Sequence, residues 1–313
     1  MHIFSGSSNQ DLANKIAKMG EFGQGIVEST QFENGERRVR VGDGGKHQGE
    51  SKAVVVQSFS QPVDEHLMEF CLLTDALSRD GYTNLVGVVP WLGYSKQDKV
   101  FLPGESLAAK VVAQIIQTTK IKKLITFDLH NRAITGFFDI PVVELSAKPI
   151  FLEYFRNKIG NQEVGDSDQS REWVVVAPDE GAVKSSAYFA RELNVPIAYM
   201  DKRRDLKTGK VEVVGMTGDV VGKSVIIVDD MIVTGSTMME TAKYLKGKGA
   251  SSVSVAATHH LYVDGVQGKL EASEIDEIVV SDTVSVDRNQ DSVISQCKLK
   301  ILSVAGMIVD ELS

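Results

Sequence analysis

Ser224-Val225-Ile226-Ile227-Val228-Asp229-Asp230-Met231-Ile232-Val233-Thr234-Gly235-Ser236-Thr237 reads as a buried strand that meets two carboxylates, crosses a turn of small residues and opens a helix at Met238-Met239-Glu240. A short unbroken apolar run suits a strand covered on both faces, as in a parallel sheet. Ligands of open α/β sheets bind at the carboxyl ends of such strands. Gly235 permits close backbone approach, and a helix start offers unpaired N–H groups and a favourable dipole to a phosphate. Thr234, Ser236 and Thr237 add hydroxyl donors after Val233. Asp229 and Asp230 would repel phosphate, but they can accept hydrogen bonds from sugar hydroxyls. A phosphate reader and a sugar reader therefore stand side by side.

Working outward, runs of β-branched residues recur at 53–57, 85–89, 124–127, 173–177, 253–257 and 278–281, with helix-periodic stretches at 65–78, 106–118, 183–193 and 237–246 between them. Strand alternating with helix predicts an α/β fold with mainly parallel sheets. The halves also echo each other. Lys52-Ala53-Val54-Val55-Val56-Gln57 matches Glu172-Trp173-Val174-Val175-Val176-Ala177, and the strand ending at Pro90 corresponds to the one ending at Asp229. Each is followed by a helix and a strand closing in histidine, at Asp128-Leu129-His130 and Thr258-His259. Two tandem domains are expected, 1–148 and 149–299, with a C-terminal segment from about 300 to 313 packing on the first. The polar stretch 160–171 has the composition of a surface loop.

A chain of 313 residues suits two domains, each able to bury its own core. A formal charge of -8 argues against a general nucleic-acid or anionic-membrane surface, which needs a basic face. The apolar runs are strand-sized, and Met1-His2-Ile3-Phe4-Ser5-Gly6 has no basic region followed by a signal-length apolar stretch. Cys71 and Cys297 form neither a disulfide framework nor a metal-ligand spacing. The expected location is the cytoplasm. Gly218-Asp219-Val220-Val221-Gly222-Lys223-Ser224 is one residue short of a P-loop and precedes a strand instead of following one, so it is read as a turn.

The stretch Val228-Asp229-Asp230-Met231-Ile232-Val233-Thr234-Gly235-Ser236-Thr237 resembles the phosphoribosyl-binding loop of type I phosphoribosyltransferases, most closely that of ribose-phosphate pyrophosphokinases. That family usually has Asp where this chain has Val233. The resemblance extends to Ile3-Phe4-Ser5-Gly6-Ser7-Ser8 and to Gln31-Phe32-Glu33-Asn34-Gly35-Glu36, which looks like the family's adenine loop. It implies ATP contacts from Phe32, Asn34, Gly35 and Glu36, often across a subunit interface. Tyr94-Ser95-Lys96-Gln97-Asp98 resembles the family's Tyr-Ala-Arg-Gln-Asp motif, which grips ATP. Here Lys96 replaces arginine, keeping the charge but losing the planar fork. Thr126-Phe127-Asp128-Leu129-His130 and Gly136-Phe137-Phe138-Asp139-Ile140-Pro141 match as well.

By the same resemblance His130 contacts ATP and, with Asp179, binds Mg²⁺, while Asp128 and Asp139 are alternative metal positions. Mg²⁺ prefers oxygen ligands and keeps several waters, so one His and one Asp need not form a cage. Met200-Asp201-Lys202-Arg203-Arg204-Asp205, followed by Lys207-Thr208-Gly209-Lys210 and a new strand, suggests a charged hairpin or flap. The resemblance makes Lys202 catalytic and Arg204 its partner, the latter also touching ribose 5-phosphate. The implied reaction joins ATP and ribose 5-phosphate into phosphoribosyl pyrophosphate and AMP, in a homo-oligomer built on dimers. Two alternatives stay open on sequence: a base phosphoribosyltransferase, and a non-catalytic regulatory relative of the synthetase.

Overall fold

The computed structural model describes residues 1–42, 52–160, 172–204, 211–286 and 298–313, the side chains of 202–204 and 211–214 excepted. The chain divides into two units.

The first unit comprises 1–147, 282–285 and 303–313. Its strands are β1 (His2–Ser5), β2 (Gly23–Gln24), β3 (Ile26–Gln31), β4 (Arg37–Gly42), β5 (Lys52–Val56), β6 (Asn84–Val88), β7 (Ile121–Phe127) and β8 (Val142–Leu145), and its early helices are α1 (Gln10–Met19), α2 (Val63–Arg79) and α3 (Ala108–Thr118). The main sheet runs β2-β1-β5-β6-β7-β8 with every pairing parallel, while β3 and β4 form a separate antiparallel hairpin. Val54, Val55, Val56, Leu85, Val88, Leu124 and Ile125 are fully buried, as strands covered on both faces require.

The second unit comprises 148–281 and 286–302. In chain order it holds α4 (Lys148–Gly160), β9 (Trp173–Ala177), α5 (Val183–Leu193), β10 (Ile197–Arg204), β11 (Val211–Thr217), β12 (Ser224–Ile232), α6 (Ser236–Gly247), β13 (Ser252–His260), α7 (Val266–Glu271), β14 (Glu277–Ser281) and β15 (Leu299–Leu302). The sheet order is β11-β10-β9-β12-β13-β14-β15, parallel except for the β10–β11 hairpin at its edge. Val225, Ile226 and Ile227 are fully buried in its centre. Burial of each such side chain is worth about 1.5–3 kcal/mol.

The echo between the halves has a structural counterpart. β5-β6-β7-β8 are neighbours in one sheet as β9-β12-β13-β14 are in the other. One boundary differs from expectation. β12 does not stop at Asp229 but continues through Asp230 to Ile232, because β13 is long enough to pair Met231 with His259 and Ile232 with His260.

The C-terminal helix α8 (Ala305–Leu312) belongs to the first unit, where the Leu312 carbonyl accepts a hydrogen bond from Lys52 Nζ at 2.9 Å and Glu311 pairs with Lys123. Residues 282–285 also return to this unit, a crossing that periodicity does not reveal. Asp282 pairs with Lys15 at 2.7 Å, and its carbonyl accepts from Asn9 Nδ2 at 2.8 Å. Gly218–Ser224 is a turn: Asp219 caps the Val221 N–H at 3.0 Å, and Lys223 pairs with Asp219 and Glu172. Cys71 is half-buried against the first core, where burial raises its thiol pKa; Cys297 and most of the 160–171 stretch lie outside the described residues. Among the described residues no helix is long and apolar enough to cross a membrane.

Candidate active site

In the second unit, β12 delivers Asp229 and Asp230 to the carboxyl end of the sheet, both half-buried. Asp229 accepts the backbone N–H of Asp230 at 2.8 Å. Burial, then the Asp230 carboxylate and the more distant Asp179, raise the Asp229 carboxyl to about 7. The chain turns at Gly235, which adopts φ 68° and caps α6 with no side-chain hydrogen bond at that cap. A Cβ built on Gly235 would lie 2.9 Å from Leu270 Cδ2, so the turn sits directly on α7. Thr234, Ser236 and Thr237 are exposed around it, with Thr234 Oγ1 and Ser236 Oγ 3.1 Å apart, and Val233 is half-buried. The result is a cradle of hydroxyls at a helix N-terminus beside carboxylates, a combination suited to a phosphorylated sugar.

Asp179 follows β9, the strand next to β12, and accepts the Ala182 N–H at 3.0 Å at the start of α5. The floor under Gly235 is fixed by residues that sequence reasoning missed. Nδ1 of the fully buried His260 accepts the Tyr262 N–H at 2.9 Å, so its proton sits on Nε2 and is donated to Gln267 Oε1 at 3.1 Å. Gln267 in turn donates to Glu271 at 2.9 Å. Burial lowers the His260 pKa to about 4 despite the Gln267 contact. This chain spans α7, the helix that carries Leu270. A histidine at the end of an apolar strand carries no sequence signal for such a role.

In the first unit, Phe32, Asn34, Gly35 and Glu36 form the turn of the β3–β4 hairpin. Phe32 N–H donates to the Glu36 carbonyl at 2.8 Å, and Gly35, at φ 88°, donates to the Phe32 carbonyl at 2.9 Å. Asn34 Nδ2 donates to Glu36 Oε2 at 3.0 Å, and Asn34 Oδ1 accepts the Glu36 N–H at 3.1 Å. Phe32 is 52% exposed. A cavity of about 530 Å³ separates this turn from α2, with Phe32, Gly35, Glu36, Asp64, Met68 and Leu72 in its wall.

Lys96 and Gln97 are exposed after β6. Asp98 accepts Asn131 Nδ2 at 2.6 Å, and Asn131 immediately follows the exposed His130. Asn131 thus links the Lys96 segment to the His130 segment, a pairing that neither motif announces. Asp128 accepts Ser146 Oγ at 2.7 Å on one oxygen and the Ala147 N–H at 2.8 Å on the other, which places it as an anchor of the chain entering α4. Asp139 is exposed at the loop before β8. Among the described residues no three His, Cys, Asp or Glu side chains gather into a metal cage.

β10 and β11 form the expected hairpin backbone, with Lys202 opposite Val213, Arg204 opposite Val211 and a register shift between Asp201 and Lys202. The side chains of Lys202 and Arg204, and residues 205–210, lie outside the described residues.

Comparison with known proteins agrees with this arrangement. Residues 1–119 match the family model for the N-terminal domain of ribose phosphate pyrophosphokinase, and residues 137–295 match that for the phosphoribosyl transferase domain. The chain is 33% identical to the ribose-phosphate pyrophosphokinase of Helicobacter hepaticus, over 98% of this chain and 93% of that protein. It is 35% identical to that of Caldanaerobacter subterraneus, over 99% and 93%. The crystal structure of phosphoribosylpyrophosphate synthetase from Mycobacterium smegmatis superposes with a TM-score of 0.84 at 30% identity, covering 99% of this chain and 97% of that one. Two duplicated α/β units, a hydroxyl-lined turn after paired aspartates and near full-length similarity converge on one assignment: the chain belongs to the ribose-phosphate pyrophosphokinase family.

Proposed function

We propose that this enzyme transfers the pyrophosphoryl group of ATP to the anomeric hydroxyl of ribose 5-phosphate, with the residues above in the following roles. The 5-phosphate lies in the turn of Val233, Thr234, Gly235, Ser236 and Thr237, against the first N–H groups of α6. Asp229 and Asp230 accept hydrogen bonds from the ribose hydroxyls. The observation that carries this reading is the left-handed Gly235 at the N-cap of α6, surrounded by exposed hydroxyls. On the nucleotide, Phe32 stacks on adenine, and Asn34, Gly35 and Glu36 read its edge. Lys96, Gln97, Asp98 and His130 hold the rest of ATP.

In the reaction the anomeric hydroxyl releases its proton to solvent as its oxygen attacks the β-phosphorus in line. The bond from that phosphorus to the α,β-bridging oxygen breaks, and its electron pair leaves with AMP. Negative charge spreads over the oxygens of the transferring group, and fixed cations lower its energy. Lys202 and Arg204 supply them from the β10–β11 hairpin, and Arg204 also contacts ribose 5-phosphate. Because a flap can close after both substrates bind, transfer to water is limited.

Mg²⁺ bound to the nucleotide neutralises phosphate charge. His130 and Asp179 are the residues that would hold it, with Asp139 an exposed alternative; both Asp128 oxygens already accept protein donors, which leaves Asp128 a weaker fit. The donor set suits a cation that takes most of its oxygens from nucleotide and water. A cytoplasmic homo-oligomer built on dimers completes the proposal, supported by the exposed Phe32 and Met68.

Incubation of the pure protein with ATP, Mg²⁺ and ribose 5-phosphate should yield AMP and phosphoribosyl pyrophosphate in equal amounts. Production of ADP, or pyrophosphate release that depends on a nucleobase, would overturn the reading.

A further inference from the structure

Glu69 lies on α2 with no exposed surface, yet it carries a carboxylate. Its two oxygens have different duties. Oε2 accepts the Ser7 hydroxyl at 2.5 Å, the Ser7 N–H at 3.1 Å and Gln57 Nε2 at 2.8 Å. Ser7 follows β1 and Gln57 follows β5, so this oxygen grips the carboxyl end of the main sheet. Oε1 accepts the Ser29 hydroxyl at 2.7 Å and lies 3.5 Å from Arg37 Nη1. Ser29 is on β3 and Arg37 on β4, so this oxygen grips the hairpin that ends in Phe32, Asn34 and Glu36. Burial opposes ionisation of Glu69, but the hydrogen bonds from Ser7, Ser29 and Gln57 outweigh it and hold the carboxyl below its ordinary value.

Fastening the hairpin does not by itself require a charge. Val27, Val39 and Val41 already pack it against the first core. Apolar packing is non-directional, however, and a two-stranded hairpin has little rigidity of its own. Hydrogen bonds to an ionised group are short and geometrically selective. The same end of α2 engages the other nucleotide element: Arg37 also pairs with Glu65 at 3.0 Å, and the Tyr94 hydroxyl donates to Asp64.

We propose that Glu69 is a positioning residue for the nucleotide, its contacts with Ser29 and Arg37 fixing the hairpin turn in the one orientation that fits adenine. The proposal rests on the reading that this turn holds the base. Glu69 itself touches no substrate; it acts through the hairpin.

Steady-state kinetics of Glu69→Gln, Ser29→Ala and Phe32→Ala, with Phe70→Leu as a core control on the same helix, tests it. Glu69→Gln and Ser29→Ala should each raise the KM for ATP about fivefold or more while leaving that for ribose 5-phosphate within about twofold, and the double variant should lose less than the product of the two. Phe70→Leu should lower the melting temperature without splitting the two constants. If Glu69→Gln and Ser29→Ala leave the ATP constant unchanged, or raise both constants together, while Phe32→Ala raises the ATP constant, the positioning role is overturned and the adenine reading stands. If Phe32→Ala leaves the ATP constant unchanged, both fall. Should Glu69→Gln fail to fold, Ser29→Ala decides alone, because a half-buried serine on a surface hairpin supports no core.

Discussion

Asp229 accepts the backbone N–H of Asp230 at 2.8 Å, so two successive residues of one strand place their carboxylates at the same sheet end. With burial, this proximity raises the Asp229 carboxyl from 3.8 to about 7. The Asp230 carboxylate thus disfavours ionisation of Asp229 at the carboxyl end of β12.

Asp229→Asn should therefore separate stability from binding. Losing a charged acceptor for a sugar hydroxyl should raise the KM for ribose 5-phosphate by tenfold to hundredfold, about 1.5–3 kcal/mol, and change that for ATP far less. The free protein should become more stable at neutral pH. Between 3.8 and about 7 the folded protein keeps a proton on Asp229 that the unfolded chain has released, so its contribution to stability is lost as pH rises through that window. The difference in urea stability between variant and parent should grow from acid to neutral pH. A difference independent of pH would remove the raised pKa from the account.

His260 should show the opposite sign. Its folded pKa of about 4 lies below the ordinary 6.5, so between those values the unfolded chain binds a proton that the folded protein refuses. The contribution of the neutral ring is full above 6.5 and is lost as pH falls toward 4, by about 3 kcal/mol in all. Relative to the parent, His260→Asn should lose its disadvantage as the pH is lowered. Because the ring holds α7 beneath Gly235, the variant should also raise the KM for ribose 5-phosphate more than that for ATP. Equal shifts in the two constants would mean that α7 does not set the turn.

Gly235→Ala tests the turn directly. The left-handed backbone at φ 68° disfavours any Cβ by about 1–2 kcal/mol, and here the added carbon also meets Leu270 Cδ2 at 2.9 Å. The variant should unfold at lower urea and bind ribose 5-phosphate weakly. Combined with Leu270→Ala, which opens space but costs core packing, the destabilisations should sum to more than the double variant shows. Additivity within about 0.5 kcal/mol would argue that the two sites do not clash.

The architecture was legible because the central strands are unbroken apolar runs, such as 53–56 and 225–228, whose burial on both faces leaves no other reading. The turn at Gly235 was legible for the same reason: small residues, hydroxyls and acids fall within a few positions of one strand end. Glu69, Asn131 and His260 were not legible. Their roles depend on partners that no motif includes, as with Glu69 and Ser7, 62 residues apart. Glu69 sits in an ordinary amphipathic helix, where one more glutamate reads as a solvated face. The extension of β12 past its acids was hidden too, since only the length of β13 provides the pairing.

The hairpin of β10 and β11 offers the sharpest test of mechanism. Its backbone is an edge ribbon whose register shifts between Asp201 and Lys202, and bulges of that kind bend a strand and often stand next to active sites. If the Lys202 ammonium meets charge that develops only during transfer, Lys202→Ala should lower turnover about a hundredfold or more while Mg-ATP binding stays within a few fold, because ground-state contacts are made largely elsewhere. Arg204→Ala should behave similarly but with an added rise in the KM for ribose 5-phosphate. The double variant should lose less than the product of the two effects, since groups acting on one transition state are rarely additive. A solvated charged loop predicts near-normal turnover for each. Single-turnover rates, with circular dichroism to confirm folding, separate the two accounts, and a Lys202→Ala enzyme retaining most of its activity would remove the hairpin from the chemistry.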